Sequence, residues 1–344
     1  MRYSFIKKVL LREKDMNTTE FEYSFGRGEM TTVVRSVFGT LIVLENFILL
    51  CVLGTLIKRF DSSRHSQSEI VIQSAFLSTF DGLSGFFLLC VGTIRVKNNI
   101  TAFMCAYASY MTLNLQFMSQ INIACICAYR YRIARNIRRF ELKRKSRFTI
   151  GLTIINLTLG ISNICIFSST LQIKPVVEGM DFACSYNRVI LSTDDVLGSP
   201  VGYAVGTMCL FTADILCLLT IYRLKREITV TVSSSDAGQS STTVETSSRD
   251  KLVRLTMRKQ QQTAIFVVFL ILIIFNLSIV PILITITLLY SGVHLSNEAF
   301  ELGLLFLYIH ALLNPVIITT RIVEVRKTVR NALTKIFVLL KTCF

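Results

Sequence analysis

Seven long stretches with almost no charge constrain the fold of this chain more than any other feature. A membrane-spanning helix needs about 20 mostly apolar residues, and each stretch holds at most one charged residue. They are residues 36–57, 70–94, 98–129, 148–173, 196–222, 260–297 and 302–320. The sixth is too long for one span, so it includes an outer loop end near Ser291–Asn297. The sequence therefore predicts an all-α membrane protein, a bundle of seven transmembrane helices.

The composition agrees with this fold class and excludes several others. Of the 344 residues, 52% are hydrophobic and 17% are charged, whereas soluble domains are about 25% charged. This balance argues against a soluble, disordered or disulfide-stapled secreted chain. The three His residues lie on different sides or at different depths, and the sequence has no glycine-rich phosphate loop, paired-Cys zinc spacing or Ser–His–acid grouping. We therefore do not expect an enzyme.

The distribution of Lys and Arg predicts the orientation. With the N-terminus outside, 26 of the 37 basic residues lie in the inner loops and the C-terminal tail, as the positive-inside rule requires. We therefore expect a multi-pass plasma-membrane protein with an extracellular N-terminus. Attraction to anionic lipid would account for the same basic loops. Because the charge is divided among short loops, we expect no nucleic-acid partner.

The first residues depart from this rule. Five basic residues between Arg2 and Lys14 would lie outside, and one explanation is that translation starts at Met16. We expect an extracellular tail over residues 1–32, followed by the seven-helix domain over residues 33–322. Asn17 and Asn99 head the two sequons that lie outside the spans, so they are the expected glycosylation sites.

Several short motifs occur in order along the predicted spans and the loops between them. They are Glu45-Asn46, Leu77-Ser78-Thr79-Phe80-Asp81, Cys105, Tyr129-Arg130-Tyr131, Cys184, Tyr222, Phe275 with Pro281, and Asn314-Pro315-Val316-Ile317-Ile318. With these motifs the chain resembles the rhodopsin-like (class A) G-protein-coupled receptors from about residue 33 to 341. It resembles them as a divergent member, since it contains no Trp and has Tyr129 where the family has an acid. Ile318 likewise stands where the family has Tyr.

The resemblance implies roles for these residues. It implies a disulfide between Cys105 and Cys184 on the outer side, two free thiols being the alternative. It implies a sodium site at Asp81, with Ser119 and Asn314 beside it and Asn46 in the same polar cluster, and otherwise no cofactor. The alternative is an Asp81 that is protonated or hydrogen-bonded with water. The implied activation switch consists of Tyr129, Arg130, Tyr222, Phe275, Pro281 and Pro315. A lipid-headgroup anchor is the simpler role for Arg130.

The resemblance also narrows the ligand. Amine receptors of the family carry an Asp seven residues after the third-span Cys, where this chain has Thr112, so a monoamine is disfavoured. Residues 302–320 contain no Lys, which excludes a retinal Schiff base. The candidate pocket residues are Thr112, Gln116 and Tyr308.

Two inner segments carry regulatory signals. The Ser/Thr-rich inner loop, about residues 228–250, is predicted to be disordered, and its phosphorylation would suit receptor kinases and arrestin. A passive spacer is the alternative. Residues 323–344 are predicted to form a cytoplasmic amphipathic helix and tail, in which Cys343 is a palmitoylation candidate.

The expected function is therefore that of a receptor that transmits binding of an extracellular ligand to heterotrimeric G proteins. Two alternatives remain at this point. One is a receptor-like protein that binds ligand without coupling, as a scavenger or heteromer partner. The other is an ion-coupled transporter that uses Asp81, Glu45 and Asp214, although the sequence lacks the repeated halves typical of transporters.

Overall fold

A computed structural model describes most of the predicted spans. It covers residues 18–60, 65–135, 181–184, 210–224, 244–290 and 297–343, with isolated helical positions at 151, 154, 155, 158, 162, 208 and 226. The helices are α1 Thr18–Phe60, α2 His65–Thr93, α3 Asn99–Arg135, α4 210–224, α5 Val244–Tyr290, α6 Asn297–Leu307, α7 Ile309–Arg321 and α8 Val323–Cys343. The strands are β1 Arg95–Val96 and β2 Phe182–Ala183.

Four stretches within these described helices are long and apolar enough to cross a membrane. They are Thr31–Lys58, Ile70–Thr93, Gln262–Thr285 and Leu302–Arg321. They correspond to the predicted first, second, sixth and seventh spans. The third predicted span lies within α3, and part of the fifth lies in α4. Most of the predicted fourth span, 148–173, lies outside the described residues.

Several helix ends differ from the boundaries read off the sequence. Helix α1 begins at Thr18, inside the segment predicted as an extracellular tail, and α5 begins at Val244, inside the segment predicted as a disordered loop. Residues 229–243 of that loop lie outside the described residues. Helix α8 spans Val323–Cys343, where the sequence predicts an amphipathic helix.

Small residues allow α1 and α2 to pack closely. A Cβ atom on Gly39 would lie 2.6 Å from the backbone nitrogen of Leu89, and a Cβ on Gly92 would lie 2.7 Å from the backbone nitrogen of Ser36. Distances this short are sterically excluded, so each position requires glycine. Glycine at helix contacts is the usual way in which membrane helices bring their backbones together.

A disulfide ties one end of the bundle. Cys105 near the start of α3 is bonded to Cys184 just after β2, which confirms the predicted pair. Strands β1 and β2 pair antiparallel beside it, and Arg35 of α1 donates from Nη1 to the carbonyl oxygen of Cys184 at 2.8 Å. The N-terminal part of α1, the α2–α3 connection and this disulfide therefore lie at the same end.

The core lies between the helices, and much of the outer surface is apolar. Buried side chains from each of the helices α1 to α8 contribute to the main hydrophobic cluster, which includes Leu53, Ile123, Leu210, Leu272, Phe275, Ile282 and Ile318. Large apolar side chains are exposed on the outside, among them Phe47, Phe211 and Leu277. An apolar outer surface is stable only when lipid replaces water around the spans.

Candidate functional site

A proline-freed carbonyl on α7 explains the position of Asn46. Pro315 has no N–H, so the carbonyl of Ala311 four residues earlier loses its helical partner. Asn46 of α1 donates from Nδ2 to this carbonyl at 3.1 Å, and it is itself fully buried. Ser78 of α2 donates to Asn46 Oδ1 at 2.8 Å. One buried asparagine thus connects α1, α2 and α7.

Asp81 of α2 is the centre of a buried polar cluster. Ser119 of α3 donates to its Oδ1 at 3.0 Å, and Asn314 of α7 donates to its Oδ2 at 2.7 Å. All three side chains are at most 1% exposed. The hydrogen bonds therefore join α2, α3 and α7 through Asp81.

His310 brings α5 to the same cluster. Its Nε2 atom lies 3.8 Å from Asp81 Oδ1, and its ring centroid lies 3.7 Å from that of Phe275 on α5. Both rings are fully buried. Nothing in the sequence indicates that His310 contacts Phe275. A movement of α5 against α7 must disturb this ring contact.

The cluster also offers oxygen atoms to a hard cation. Asn314 Oδ1 is buried and has no hydrogen-bond partner within the described part of the chain. Asp81 supplies a carboxylate and Ser119 a hydroxyl, and hard cations take oxygen ligands of this kind. The donor set therefore fits Na⁺. Among the described residues, no three His, Cys, Asp or Glu side chains are grouped for a transition metal.

Arg130 lies near the opposite end of α3 from the disulfide and is buried. Its guanidinium is 2% exposed, and Nη2 donates to Gln73 Oε1 on α2 at 2.7 Å. Tyr129, which replaces the expected acid, is also buried. A buried arginine is costly unless its donors have partners, and Gln73 is a partner that the sequence did not predict.

This arrangement matches a known family. The family model described as "7 transmembrane receptor (rhodopsin family)" matches residues 55–318. The chain belongs to this family. A comparison with curated proteins finds no match. Rhodopsin-family proteins are multi-pass membrane receptors rather than enzymes, and G proteins are their general signalling partners.

The predicted pocket residues of this rhodopsin-family receptor are all buried, but they have different neighbours. Thr112 donates to the carbonyl of Ala108 in its own helix at 2.7 Å, and Gln116 donates from Nε2 to Ser84 of α2 at 2.8 Å. Tyr308 lies at the break between α6 and α7 and belongs to a separate apolar cluster of α1, α2 and α7. Thr112 and Gln116 therefore share α3, whereas Tyr308 packs elsewhere.

The remaining residues of the implied activation switch differ in how far they are buried. Phe275 and Pro315 are buried in the core, and Pro281 lies inside α5 as a partly buried residue. The side chain of Tyr222, in contrast, is 64% exposed. Tyr222 thus lies at the surface in this conformation.

Helix α4 is joined to the sixth span by a contact that the sequence did not indicate. The two carboxylate oxygens of Asp214 accept from Nδ2 of Asn276 on α5 at 2.9 Å and 3.1 Å. An acid within a span is stabilised by such a partner. The Asp214 carboxylate thus has a hydrogen-bond donor on the neighbouring helix.

Asp181, at the disulfide end of the bundle, has two basic neighbours. Arg95 donates to Asp181 at 2.9 Å, and Lys97 lies 3.5 Å from the same carboxylate. The hydrogen bond from Arg95, together with both positive charges, holds the pKa of Asp181 below its usual range.

Asn99 is exposed at the start of α3. Asn17 lies outside the described residues, and Cys343 is the last residue of α8.

Proposed function

We propose that this chain is a receptor that binds an extracellular ligand and activates heterotrimeric G proteins. The observation that carries the proposal is the buried Arg130 in a rhodopsin-family chain. In the family this arginine meets the terminal helix of the G protein in the active state. A residue that is 2% exposed must first be released, so activation requires a second conformation.

The polar contacts suggest how a ligand would favour that conformation. A ligand acts only through its different affinities for the two states. Asp81 bonds to α3 and α7, and His310 of α7 contacts Phe275 of α5. A ligand that displaces α5 or α7 at the outer end must rearrange these contacts. In this proposal their rearrangement opens the inner end and exposes Arg130.

A sodium ion at Asp81 would favour the closed state. When bound, Na⁺ would add a positive charge beside the Asp81 carboxylate and draw the oxygens of Ser119 and Asn314 together. Those side chains come from α2, α3 and α7, so the ion would hold three helices in one arrangement. No other cofactor is proposed. Receptor kinases and arrestin are proposed partners of the Ser/Thr-rich inner loop.

Nucleotide exchange on purified G proteins is the direct test of coupling. The receptor, reconstituted in lipid with representatives of each G-protein class, should accelerate exchange in at least one class, either without ligand or with a hit from peptide, lipid and nucleoside libraries. Arg130→Ala is the matched negative control. No acceleration over empty lipid in any class, with a ligand shown to be bound, would contradict coupling. Selective ion flux across the same bilayer would instead support the transporter alternative.

One observation favours the second candidate, a receptor that binds ligand without coupling. Ile279 and Ile318 are 3% and 0% exposed, and they stand where the family has Trp and Tyr. Buried isoleucine gives neither position a side-chain hydrogen bond. The active conformation would then lack polar contacts that it has in other members. The nucleotide-exchange assay separates the two candidates.

The orientation is a proposal that glycosylation tests. With the N-terminus outside, Asn17 and Asn99 lie on the same side of the membrane as the enzyme that attaches N-glycans. Asn99 is exposed in the structure. We expect glycosidase to shift the wild-type protein on a gel, and the shift to disappear in Asn17→Gln plus Asn99→Gln. Asn276→Gln, in a sequon inside the sixth span, is the control and should leave the shift unchanged. A shift that persists in the double variant would mean that the topology is wrong.

A further inference from the structure

We propose that Gln73 is the positioning residue that restrains Arg130 in the resting conformation. This inference rests on the proposed function, because it states what limits signalling in the absence of ligand. The family motif assigns that restraint to an acid beside the arginine, and this chain has Tyr129 at that position. The bond from Arg130 to Gln73 Oε1, at 2.7 Å, supplies a restraint from another helix.

This bond is one of three hydrogen bonds that buried side chains of α3 donate to α2. Gln116 donates to Ser84, Ser119 donates to Asp81 and Arg130 donates to Gln73, at 2.8, 3.0 and 2.7 Å. All six side chains are at most 2% exposed except Gln73, at 4%. Ser119 and Arg130 are about three helical turns apart, so they share one face of α3. The Arg130 bond is thus the last in a row of buried contacts.

The chemistry of Gln73 suits a restraint that can be broken. A charged donor makes its hydrogen bond stronger than a neutral pair would be. Gln73 contributes only a neutral oxygen, however, and does not cancel the charge of the guanidinium. Its buried Nε2 has no hydrogen-bond partner among the residues that the structure describes, which raises the free energy of this arrangement. We therefore infer that Gln73 holds Arg130 less firmly than a carboxylate would.

Two substitutions of Gln73 should change basal signalling in opposite directions. Gln73→Leu removes the acceptor, and we expect roughly a fivefold rise in ligand-free nucleotide exchange at equal receptor number. Loss of one charge-assisted bond, about 1.4 kcal/mol, would raise an active fraction of roughly 9% to about 50%. Gln73→Glu places a carboxylate beside the guanidinium, and basal exchange should fall below wild type. The control is Gln120→Leu. Gln120 is also buried, but it lies ten residues before Arg130 on α3, about 15 Å along the helix, and should have no effect.

A second measurement keeps the test independent of coupling. Hydrogen exchange of the amides in residues 126–135 of α3, measured on purified receptor, should be faster in Gln73→Leu and slower in Gln73→Glu. In an Arg130→Met background, Gln73→Leu should produce no further change. If all variants are silent on every G-protein class even with a ligand shown to be bound, but hydrogen exchange shifts as expected, the proposed function fails and the restraint stands. Unchanged hydrogen exchange in both Gln73 variants, or the same change in the Arg130→Met background, would overturn the restraint.

Discussion

Tyr129→Asp should reduce ligand-free signalling about tenfold, and Arg130→Ala should abolish it. Tyr129 offers no carboxylate to the neighbouring arginine, and Gln73 offers only a neutral acceptor. An ion pair in this buried position is worth on the order of 1 kcal/mol or more. A change of about 1.4 kcal/mol would lower an active fraction of roughly 9% to about 1%. The measurement is basal nucleotide exchange at matched surface expression.

Two control variants separate charge from local disruption. Tyr129→Phe removes only the hydroxyl group, so it measures the effect of losing that group without an added charge. Tyr131→Asp introduces the same charge one residue after Arg130, where Tyr131 lies under the guanidinium of Arg223 at 4.8 Å. This carboxylate points to another helix face and should not restrain Arg130. Equal basal signals in wild type and Tyr129→Asp would refute the argument, as would an equal decrease in both Asp variants.

The sequence predicted the central cluster because its members belong to motifs with a known spacing. The resemblance implied that Ser119 and Asn314 lie beside Asp81, and in the structure both donate to its carboxylate. The disulfide between Cys105 and Cys184 was also implied by the resemblance, and the structure confirms it. Asn46 and Ala311 show the limit of this reasoning. That Pro315 frees a carbonyl follows from its chemistry, whereas the identity of the donor depends on how α1 is rotated against α7.

The contacts that the sequence did not predict all depend on helix rotation. Gln73 is one of several polar residues near the inner end of α2, and no local pattern selects it as the partner of Arg130. Asp214 and Asn276 likewise lie in different spans, 62 residues apart in the chain. Which faces of two helices meet is decided by side-chain packing along their whole length, and a single sequence does not encode it as a spacing.

Helix ends extend beyond the predicted span boundaries for a different reason. Span boundaries were read from charge, but a helix continues past the apolar stretch wherever backbone hydrogen bonding and residue propensity permit. Helix α1 accordingly begins at Thr18, before the apolar stretch that starts at residue 36. Helix α3 differs from the other helices in its content of buried polar residues. Its buried Asn122, Gln116 and Ser119 make it more polar than its neighbours, and it carries much of the site for that reason.

Asp81→Leu should lower the free energy of unfolding of the receptor by about 2 kcal/mol. It should also remove any effect of sodium on the unfolding temperature. The substitution leaves the Ser119 hydroxyl and the Asn314 amide buried without their acceptor. Each such group costs about 1–3 kcal/mol in soluble proteins, and hydrogen bonds between membrane helices are worth about 0.6 kcal/mol on average, which reduces the expected loss. Asp81→Asn keeps an acceptor for Asn314 and should be destabilised less. The measurement is thermal unfolding of purified receptor, in sodium and in choline at equal ionic strength.

Glu45 provides the matched control for this prediction. It is also an acid within a span, but its buried Oε2 has no hydrogen-bond partner among the described residues. Removing an unpaired carboxylate leaves no partner unsatisfied, so Glu45→Leu should unfold at or above the wild-type temperature. Sodium should raise the unfolding temperature of wild type and Glu45→Leu but not of Asp81→Asn, because the neutral side chain cannot balance the charge of the ion. Equal destabilisation by Asp81→Leu and Glu45→Leu would show that the Asp81 hydrogen bonds contribute little, and a sodium response retained in Asp81→Asn would place the ion elsewhere.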